Sequence, residues 1–222
     1  MSIAFVKEVH SITFSPASAS SLVLPSITPA MGNLLVAWIE SLSSSPSISS
    51  DTGGNSWTQV GTTQPRSGSG YYIAMFAAVA TGSASVVTFS IPGGGYPNGQ
   101  IMEFSGTASS GPIDASGQAA GIGTSPTCAV VTNNANELIV AASCPNSGGT
   151  WGPAAGWNQP NGTNPTGGLT YGGIFATEAT AGTYNPTFTV TSDQWGIIAG
   201  SFKHYTAPPP STAVPNIPAF WM

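Results

Sequence analysis

Apolar runs about as long as single β-strands alternate along this chain with clusters of Gly, Pro, Ser and Asn. The 28 glycines and 19 prolines among 222 residues supply turn-forming residues throughout. Long apolar runs with helical periodicity are missing, and the helix-favouring residues Glu, Lys and Arg are scarce. The pattern predicts an all-β protein with strands at residues 3–14, 21–24, 33–40, 57–62, 71–79, 85–91, 99–104, 127–132, 137–143, 168–177, 187–190 and 194–204.

The sequence also repeats itself at an offset of about one hundred residues, which indicates two similar halves. Trp57 corresponds to Trp157, and Gly82 corresponds to Gly182. The halves extend over about residues 1–106 and 107–205. Further matching segments are 33–37 with 136–141, 72–77 with 171–176, 87–90 with 189–192, and 100–104 with 195–199.

Two similar sets of antiparallel strands are compatible with two domains or with the interleaved halves of one sandwich. The join at residues 106–124 is short, and strands of one half need another surface to cover their apolar side. Both points favour a single domain over residues 1–205. The predicted fold is a two-sheet antiparallel β-sandwich, jelly-roll-like and built from two similar halves, with an extended C-terminal arm.

The arm covers residues 206–222 and differs in composition from the rest of the chain. Five prolines in these 17 residues favour an extended, polyproline-like segment, about 50 Å long at ~3.1 Å per residue. The segment ends in large apolar side chains, which invite association when they are exposed. We expect the arm to dock on a neighbouring molecule, and the alternative is that it folds back on its own domain. The docking residues would be Ile217, Phe220, Trp221 and Met222.

Charged residues make up only 5% of the chain, and the net charge is −5. Nucleic acids and anionic lipids need a basic surface, but the three cations, Lys7, Arg66 and Lys203, are scattered along the sequence. The composition therefore excludes nucleic-acid binding. It also leaves few side chains for catalysis, for metal binding or for holding a cofactor, so we expect neither a metal nor a cofactor.

The amino terminus lacks the basic and apolar regions of a signal peptide, and the chain has no apolar run of 18 residues. Two interpretations remain: synthesis in the cytoplasm followed by release inside a particle, or removal of a leader. The first is simpler. We expect a location on a virion surface or outside the cell, without membrane insertion.

Residues 49–57 resemble the Asp-box pattern Ser-x-Asp-x-Gly-x-x-Trp, with one additional residue before Trp57; the pattern forms a β-hairpin turn in sialidases and in many non-enzymatic β-proteins. Asp51 is expected to accept backbone N–H bonds in the turn, Gly53 to permit its conformation, and Trp57 to fill the core beneath. Asn55 adds a further oxygen ligand, but a single carboxylate is a poor basis for calcium. The motif therefore predicts a structural turn.

The other ionisable and thiol groups offer little chemistry. Glu103 and Glu178 form an imaginable glycosidase pair across the repeat, although isolated rim carboxylates are the favoured interpretation. His10 and His204 lie at opposite ends of the sequence, without a serine–acid partner at recognisable spacing. The two cysteines are expected to be small buried hydrophobes, with one disulfide as the alternative; they are Cys128 and Cys144.

Aromatic residues in and beside the Gly/Asn/Pro-rich segment 146–173 form a possible glycan-binding surface, because sugars can be held by aromatic stacking and by neutral amide and hydroxyl groups. The alternative, which we favour for Trp157 and Tyr171, is that they are core residues that mirror Trp57 and Tyr72. The candidate residues are Trp151, Trp157, Tyr171 and Tyr184.

With these motifs in order, the chain resembles a broad group of β-sandwich modules of phage virion proteins and bacterial surface proteins. The resemblance covers most of residues 1–205. It implies a two-sheet sandwich with a display or assembly role, and it carries over no catalytic residue. It rests on Gly-Asn-Leu-Leu-Val at 32–36, Ser-Asp-Thr-Gly-Gly-Asn-Ser-Trp at 50–57, Glu-Phe-Ser-Gly at 103–106, Asn-Glu-Leu-Ile-Val-Ala-Ala at 136–142 and Gly-Ser-Phe-Lys at 200–203.

These observations predict a non-enzymatic structural subunit, such as a phage head decoration or tail-associated protein attached through its C-terminal arm. Its partners would be other copies of itself and a scaffold protein of the virion or appendage. One alternative is a carbohydrate-binding or host-adhesion module. A second is a bacterial extracellular filament subunit joined by strand donation.

Overall fold

The computed structural model describes residues 2–12, 19–146, 151–160 and 172–206. Within these ranges there is no α-helix, and thus none of the length and apolarity needed to cross a bilayer. The all-β prediction is confirmed. The strands are β1 (Ala4–Ile12), β2 (Ser21–Val23), β3 (Leu34–Ser41), β4 (Ser47–Asp51), β5 (Thr58–Pro65), β6 (Tyr72–Val79), β7 (Val87–Ser90), β8 (Asn98–Ser105), β9 (Ile113–Gly123), β10 (Val130–Thr132), β11 (Glu137–Pro145), β12 (Trp151–Pro153), β13 (Gly173–Glu178), β14 (Gly182–Tyr184), β15 (Phe188–Val190) and β16 (Asp193–Phe202).

The described strands form five antiparallel sheets, which is compatible with the predicted sandwich but does not confirm its two-sheet, jelly-roll-like form. The two large sheets have the strand orders β1-β8-β3-β6-β5 and β13-β11-β16-β9. A three-stranded sheet, β2-β7-β4, accompanies the first large sheet, and the pairs β12-β15 and β10-β14 accompany the second. Every ladder between named strands stays within β1–β8 or within β9–β16. The two halves are thus stacked, which differs from the interleaved sandwich predicted from the short join.

The middle strands of the large sheets are buried on both faces, and this accounts for the stacking. In β3, Leu34, Val36 and Trp38 contact one core, whereas Leu35 and Ile39 contact another. Successive side chains of a strand point to opposite faces, so such a continuous apolar strand needs a covering layer on each side. Each half covers the outer face of its large sheet with its own small sheets. The inner face is covered by the other half.

Three cores result from this layering. The central core lies between the two large sheets, and each of the two outer cores lies between a large sheet and its own small sheets. The central core contains Leu34, Val36, Trp38, Val60, Ile73, Met75, Ala77, Met102, Phe104, Leu138, Val140, Ala142, Cys144, Ile198 and Phe202. The first outer core is centred on Leu35, Ile39, Phe76, Phe89 and Ile101, and the second on Ile139, Trp151, Ile174, Phe188 and Ile197.

The halves approach each other closely in the central core. A Cβ atom on Gly200 of β16 would meet Val60 Cγ1 of β5 at 2.8 Å and Phe202 Cζ at 2.9 Å, so only glycine fits there. At another point, the rings of Phe5 in β1 and Phe175 in β13 stack with centroids 5.3 Å apart. Such contacts make the two large sheets one packed unit.

The strand order reproduces the sequence repeat, with β8-β3-β6 in the first half matching β16-β11-β13 in the second. The pairing of residues between neighbouring strands shows which residues of the two halves are equivalent. Leu34 pairs with Phe104, and Leu138 pairs with Phe202, so Phe104 and Phe202 are equivalent. Sequence similarity alone places the equivalent of Phe104 three residues earlier, at Ala199.

Candidate functional site

The turn at Asp51 is the most highly connected polar feature of the first half. Oδ1 of Asp51 accepts hydrogen bonds from Gly53 N at 2.7 Å and Ser85 Oγ at 2.6 Å. Oδ2 accepts from Asn55 Nδ2 at 2.8 Å and from Trp57 Nε1 at 2.7 Å. The structure thus brings together the four residues predicted to form a structural turn.

This network fixes both the charge of Asp51 and the ring of Trp57. Burial alone would raise the pKa of Asp51, but the hydrogen bonds from Ser85, Asn55, Trp57 and Gly53 outweigh it, and the pKa lies below its usual value. A Cβ atom on Gly53 would meet Ser85 Cβ at 2.7 Å, so a larger residue does not fit. Each carboxylate oxygen already accepts two protein donors, and this occupancy disfavours Asp51 as a calcium ligand.

We expect Asp51→Asn to lower the free energy of unfolding by about 2–3 kcal/mol at pH 7, because an amide cannot accept all four donors. The measurement is urea unfolding of the variant and the natural protein from pH 7 down to pH 3. Because the folded-state pKa is depressed, the contribution of Asp51 is present above the pKa of the unfolded chain and is lost as pH falls through the folded pKa. The difference between the two proteins should therefore shrink in acid.

Asp114→Asn is the matched control, because Asp114 accepts two hydrogen bonds from Asn133, from its backbone N and its Nδ2, at a more exposed site. We expect it to cost less than about 1 kcal/mol. Equal losses at Asp51 and Asp114 would contradict the structural role of the turn.

An open groove of about 460 Å³ lies beside this turn, and we call it the Trp57 groove. One wall comes from β4, an edge strand of the three-stranded sheet, and the other comes from Trp57, the start of β5 and β6. The lining residues are Ser47, Ile48, Ser49, Ser50, Asp51, Asn55, Trp57, Gln59 and Phe76.

A second groove, of about 540 Å³, lies where the first half meets the connection to the second, and we call it the junction groove. Its floor includes Ala77, Val79 and Ile113, and its rim carries several hydroxyl groups. It is more apolar than the Trp57 groove. The full lining is Gly54, Ser56, Thr58, Ala77, Ala78, Val79, Thr81, Ser109, Ser110, Gly111, Pro112 and Ile113.

Of the aromatic residues predicted as a glycan surface, Trp151 is a buried core residue, and Trp157 and Tyr184 are partly buried. Trp151 is 8% exposed, and its ring centroid lies 5.1 Å from that of Phe188. Trp157 and Tyr184 are partly buried against the same second outer core. For Trp151, this burial favours the core interpretation over sugar stacking. Tyr171 lies outside the described residues.

The imagined carboxylate pair, Glu103 and Glu178, is not brought together on one site. Glu103 is fully buried and accepts hydrogen bonds from Ala30 N at 2.9 Å and Asn33 Nδ2 at 2.6 Å, with Lys7 Nζ 3.5 Å away. Glu178 lies in the other half, opposite Glu137 across the β11–β13 ladder. Burial raises the pKa of both glutamates of that ladder pair. Glu103 is therefore held by residues of the first half, whereas Glu178 pairs with a strand of the second half.

One buried ionic cluster was not predicted from the sequence. Nη1 of Arg66 lies 3.2 Å from Glu40 Oε1 and donates to the carbonyl of Pro145 at 2.8 Å. Nε of Arg66 donates to Ser69 Oγ, and its guanidinium lies 4.3 Å above the centre of the Tyr71 ring. Pro145 is the last residue of β11 in the second half, so this hydrogen bond connects Arg66 of the first half to the second half. The available signal was Glu40 itself, a carboxylate at the end of a continuous apolar strand that needs a buried partner.

Burial raises the pKa of Glu40 to about 8, although the positive charge of Arg66 opposes this shift. The nearby thiol of Cys144 responds to the same surroundings, and burial raises its pKa as well. Burial also raises the pKa of Cys128 to about 12. Both cysteines are free and buried, as the preferred interpretation expects, and neither is a reactive thiolate.

The histidines take part in local structure. His10 Nε2 lies 2.7 Å from Asn98 Oδ1, and burial lowers the pKa of His10. His204 forms a β-bridge with Thr107. Within the described ranges, no three His, Cys, Asp or Glu side chains come together in a way that could hold a metal ion.

The residues predicted to dock on a neighbour, Ile217, Phe220, Trp221 and Met222, lie outside the described residues. Near the end of the described chain, residues 204 and 205 pair with residues 107 and 106, where the two halves of the chain meet. Tyr205 N donates to the carbonyl of Gly106 at 2.9 Å, next to the bridge of His204 with Thr107. The arm therefore starts within a few residues of the junction groove.

No known protein family matches this chain, and comparison with curated proteins and with solved structures gave no significant match.

Proposed function

We propose that this protein is a non-enzymatic structural subunit of a virion or another extracellular assembly, most simply a phage head decoration or tail-associated protein. The observation that supports this best is that several of the few charged side chains have structural roles inside the fold. Glu40 forms an ion pair with Arg66 where the two halves meet. Glu103 accepts a hydrogen bond from Asn33, and Asp51 accepts hydrogen bonds within its turn. Glu137 accepts a hydrogen bond from Asn134. These structural roles leave few charged side chains from which an active site would be built.

The outer surface suits contacts with other protein surfaces. Exposed positions of β4, β5 and β9 are occupied mainly by Ser, Thr, Gln and small residues. Neutral hydroxyl and amide groups can be covered by a neighbour without the large desolvation cost of burying ions. Assembly of many copies therefore agrees with this composition.

The C-terminal arm supplies a means of attachment. It begins beside the seam of the molecule and is long enough, at about 50 Å when extended, to reach a neighbouring copy. Phe220 and Trp221 could each bury about 150 Å² or more in a partner. At about 25 cal/mol per Å², this is roughly 7–8 kcal/mol of gross hydrophobic stabilisation before the cost of ordering the arm.

We expect deletion of residues 207–222 to leave a folded protein that no longer self-associates, because the docking side chains are lost. Light scattering over a concentration series measures the mass in solution, and thermal unfolding checks the fold. Phe220→Ser combined with Trp221→Ser is the sharper variant, and Pro215→Ala is its control. A full-length protein that stays monomeric at every concentration, or a truncated one that associates equally well, would refute the attachment role.

A second candidate function, carbohydrate binding, is favoured by one specific observation. The Trp57 groove combines an aromatic ring with several neutral hydrogen-bonding groups. It lies in the first half, whereas Trp151, Trp157 and Tyr184 lie in the second.

A further inference from the structure

We propose that the Trp57 groove binds a neutral saccharide. This inference concerns a site in the first half and does not depend on the C-terminal arm.

The groove has the chemistry that a sugar ring requires. Trp57, which is partly exposed, gives it an aromatic side against which the C–H face of a pyranose ring can pack, whereas Phe76 is 5% exposed and belongs to the first outer core. Exposed hydroxyl groups of Ser47 and Ser50, with the exposed amide of Gln59, line the rest of the groove. These groups both donate and accept hydrogen bonds, which matches the hydroxyl groups of a sugar.

The lining also excludes charged ligands. Among the described residues that line it, Asp51 is the sole ionisable one, and both of its oxygens are engaged by protein donors. No lysine or arginine lines the groove to neutralise a phosphate, a sulfate or a uronic acid. A ligand there must therefore be polar and neutral.

The orientation of the Trp57 ring is restrained before a ligand binds. Its indole N–H is fixed by Asp51 at 2.7 Å, so the ring cannot turn away, and little side-chain freedom is left to lose on binding. The repeat shows that the fold does not need this lock. Thr58 pairs with Ala77, and Asn158 bridges to Phe175, so Trp157 is the structural equivalent of Trp57. The segment before it, residues 151–156, contains no carboxylate.

The size of the groove sets the expected ligand and affinity. A volume of about 460 Å³ lies within the range of small-molecule sites, roughly 300–1,000 Å³, and accommodates one or two sugar rings. The groove is open along the edge of β4, so a longer chain can continue beyond it. We expect dissociation constants on the order of 10 µM to 1 mM, as suits a shallow site with few contacts.

The test is isothermal titration of the full chain with neutral hexasaccharides of glucose, mannose, galactose, xylose and N-acetylglucosamine, and with hexagalacturonate as a charged comparator. We expect at least one neutral hexasaccharide to bind and the charged one not to bind. Gln59→Ala and Ser47→Arg change exposed groove residues and should each weaken binding at least tenfold. Circular dichroism checks that both variants are folded.

Gln159→Ala is the matched control, because Gln159 occupies the position in the second half that Gln59 occupies in the first; it should leave the affinity unchanged. The proposal is overturned if no neutral hexasaccharide binds, if hexagalacturonate binds as tightly, or if both groove variants bind normally. The protein lacking residues 207–222 should bind as well as the full chain. Loss of binding on that deletion would also overturn the proposal, because the groove would then not be the site.

Discussion

At pH 9, Arg66→Met is expected to lower the free energy of unfolding by about 3–5 kcal/mol. Arg66 is 4% exposed, and its removal leaves the carboxyl group of Glu40 buried without its charged partner. The substitution also removes hydrogen bonds to Ser69 and to Pro145, the latter in the other half. Methionine keeps most of the side-chain volume, so the loss reports the electrostatic and hydrogen-bonding contribution rather than a cavity. Urea unfolding measures it.

The effect should depend on pH with a definite sign. The pKa of Glu40 is raised from its usual 4.5 to about 8, so between these values the folded protein holds a proton that the unfolded chain has released. This group therefore lowers stability as pH rises toward 8, by up to about 1.4 kcal/mol per pH unit. Glu40→Gln should remove that part of the slope. For the same reason, Arg66→Met should cost less at pH 6, where Glu40 is largely neutral, than at pH 9.

A double variant separates the charge from the packing. Combining Glu40→Gln with Arg66→Met removes the buried carboxyl group, and we expect it to recover about half of the loss measured at pH 9. Lys203→Met is the control, because Lys203 is a partly exposed cation whose Nζ donates to the carbonyl of Gly111 at 3.3 Å. A loss at Lys203 equal to that at Arg66, or no recovery in the double variant, would show that the cluster does not join the halves.

Local features of this fold could be predicted from the sequence because they depend on neighbouring residues. The turn around Asp51 needs a carboxylate, two glycines and a tryptophan at fixed spacing, and all of these lie within residues 49–57. The strand at residues 33–40 was evident from its apolar side chains, and the structure places β3 at Leu34–Ser41. The repeat was visible because Trp57 and Trp157 occupy equivalent turns.

The layering could not be predicted from the same pattern. A continuous apolar strand such as β3 shows that both faces are buried, but it does not show which surface covers each face. The choice between interleaved and stacked halves depends on contacts between distant residues, such as Gly200 with Val60. The register of the repeat was also ambiguous, because short apolar segments resemble one another at several offsets. Only the pairing of Leu138 with Phe202 fixes it.

The contacts of Arg66 with Glu40 and Pro145, where the two halves meet, could not be predicted from the sequence for the same reason. Glu40, Arg66 and Pro145 are far apart in sequence, and no spacing rule connects a carboxylate at a strand end with an arginine in a later loop. The sequence shows three scattered cations and does not indicate that Arg66 pairs with Glu40. The structure buries this pair because the strand that carries Glu40 lies between two cores.

The central core should make the two halves unfold together. We expect Phe202→Ala to lower the free energy of unfolding by about 3–5 kcal/mol, because a fully buried ring is replaced by a cavity that the stacked sheets cannot close. Although Phe202 belongs to the second half, its neighbours in the central core include residues of β3, β5 and β8. Hydrogen exchange followed by mass spectrometry should therefore show faster exchange in these first-half strands.

Phe188→Ala is the matched comparison, because Phe188 is equally buried but lies in the second outer core, against Trp151. It should cost a similar free energy of unfolding while the additional exchange stays mainly in β11–β16. If Phe202→Ala leaves exchange in β3 and β8 unchanged, the halves are energetically independent despite their contact. If both variants loosen both halves alike, cooperativity does not depend on the central core. Comparing Phe202→Ala with Phe188→Ala thus tests whether the central core between the two halves couples their unfolding.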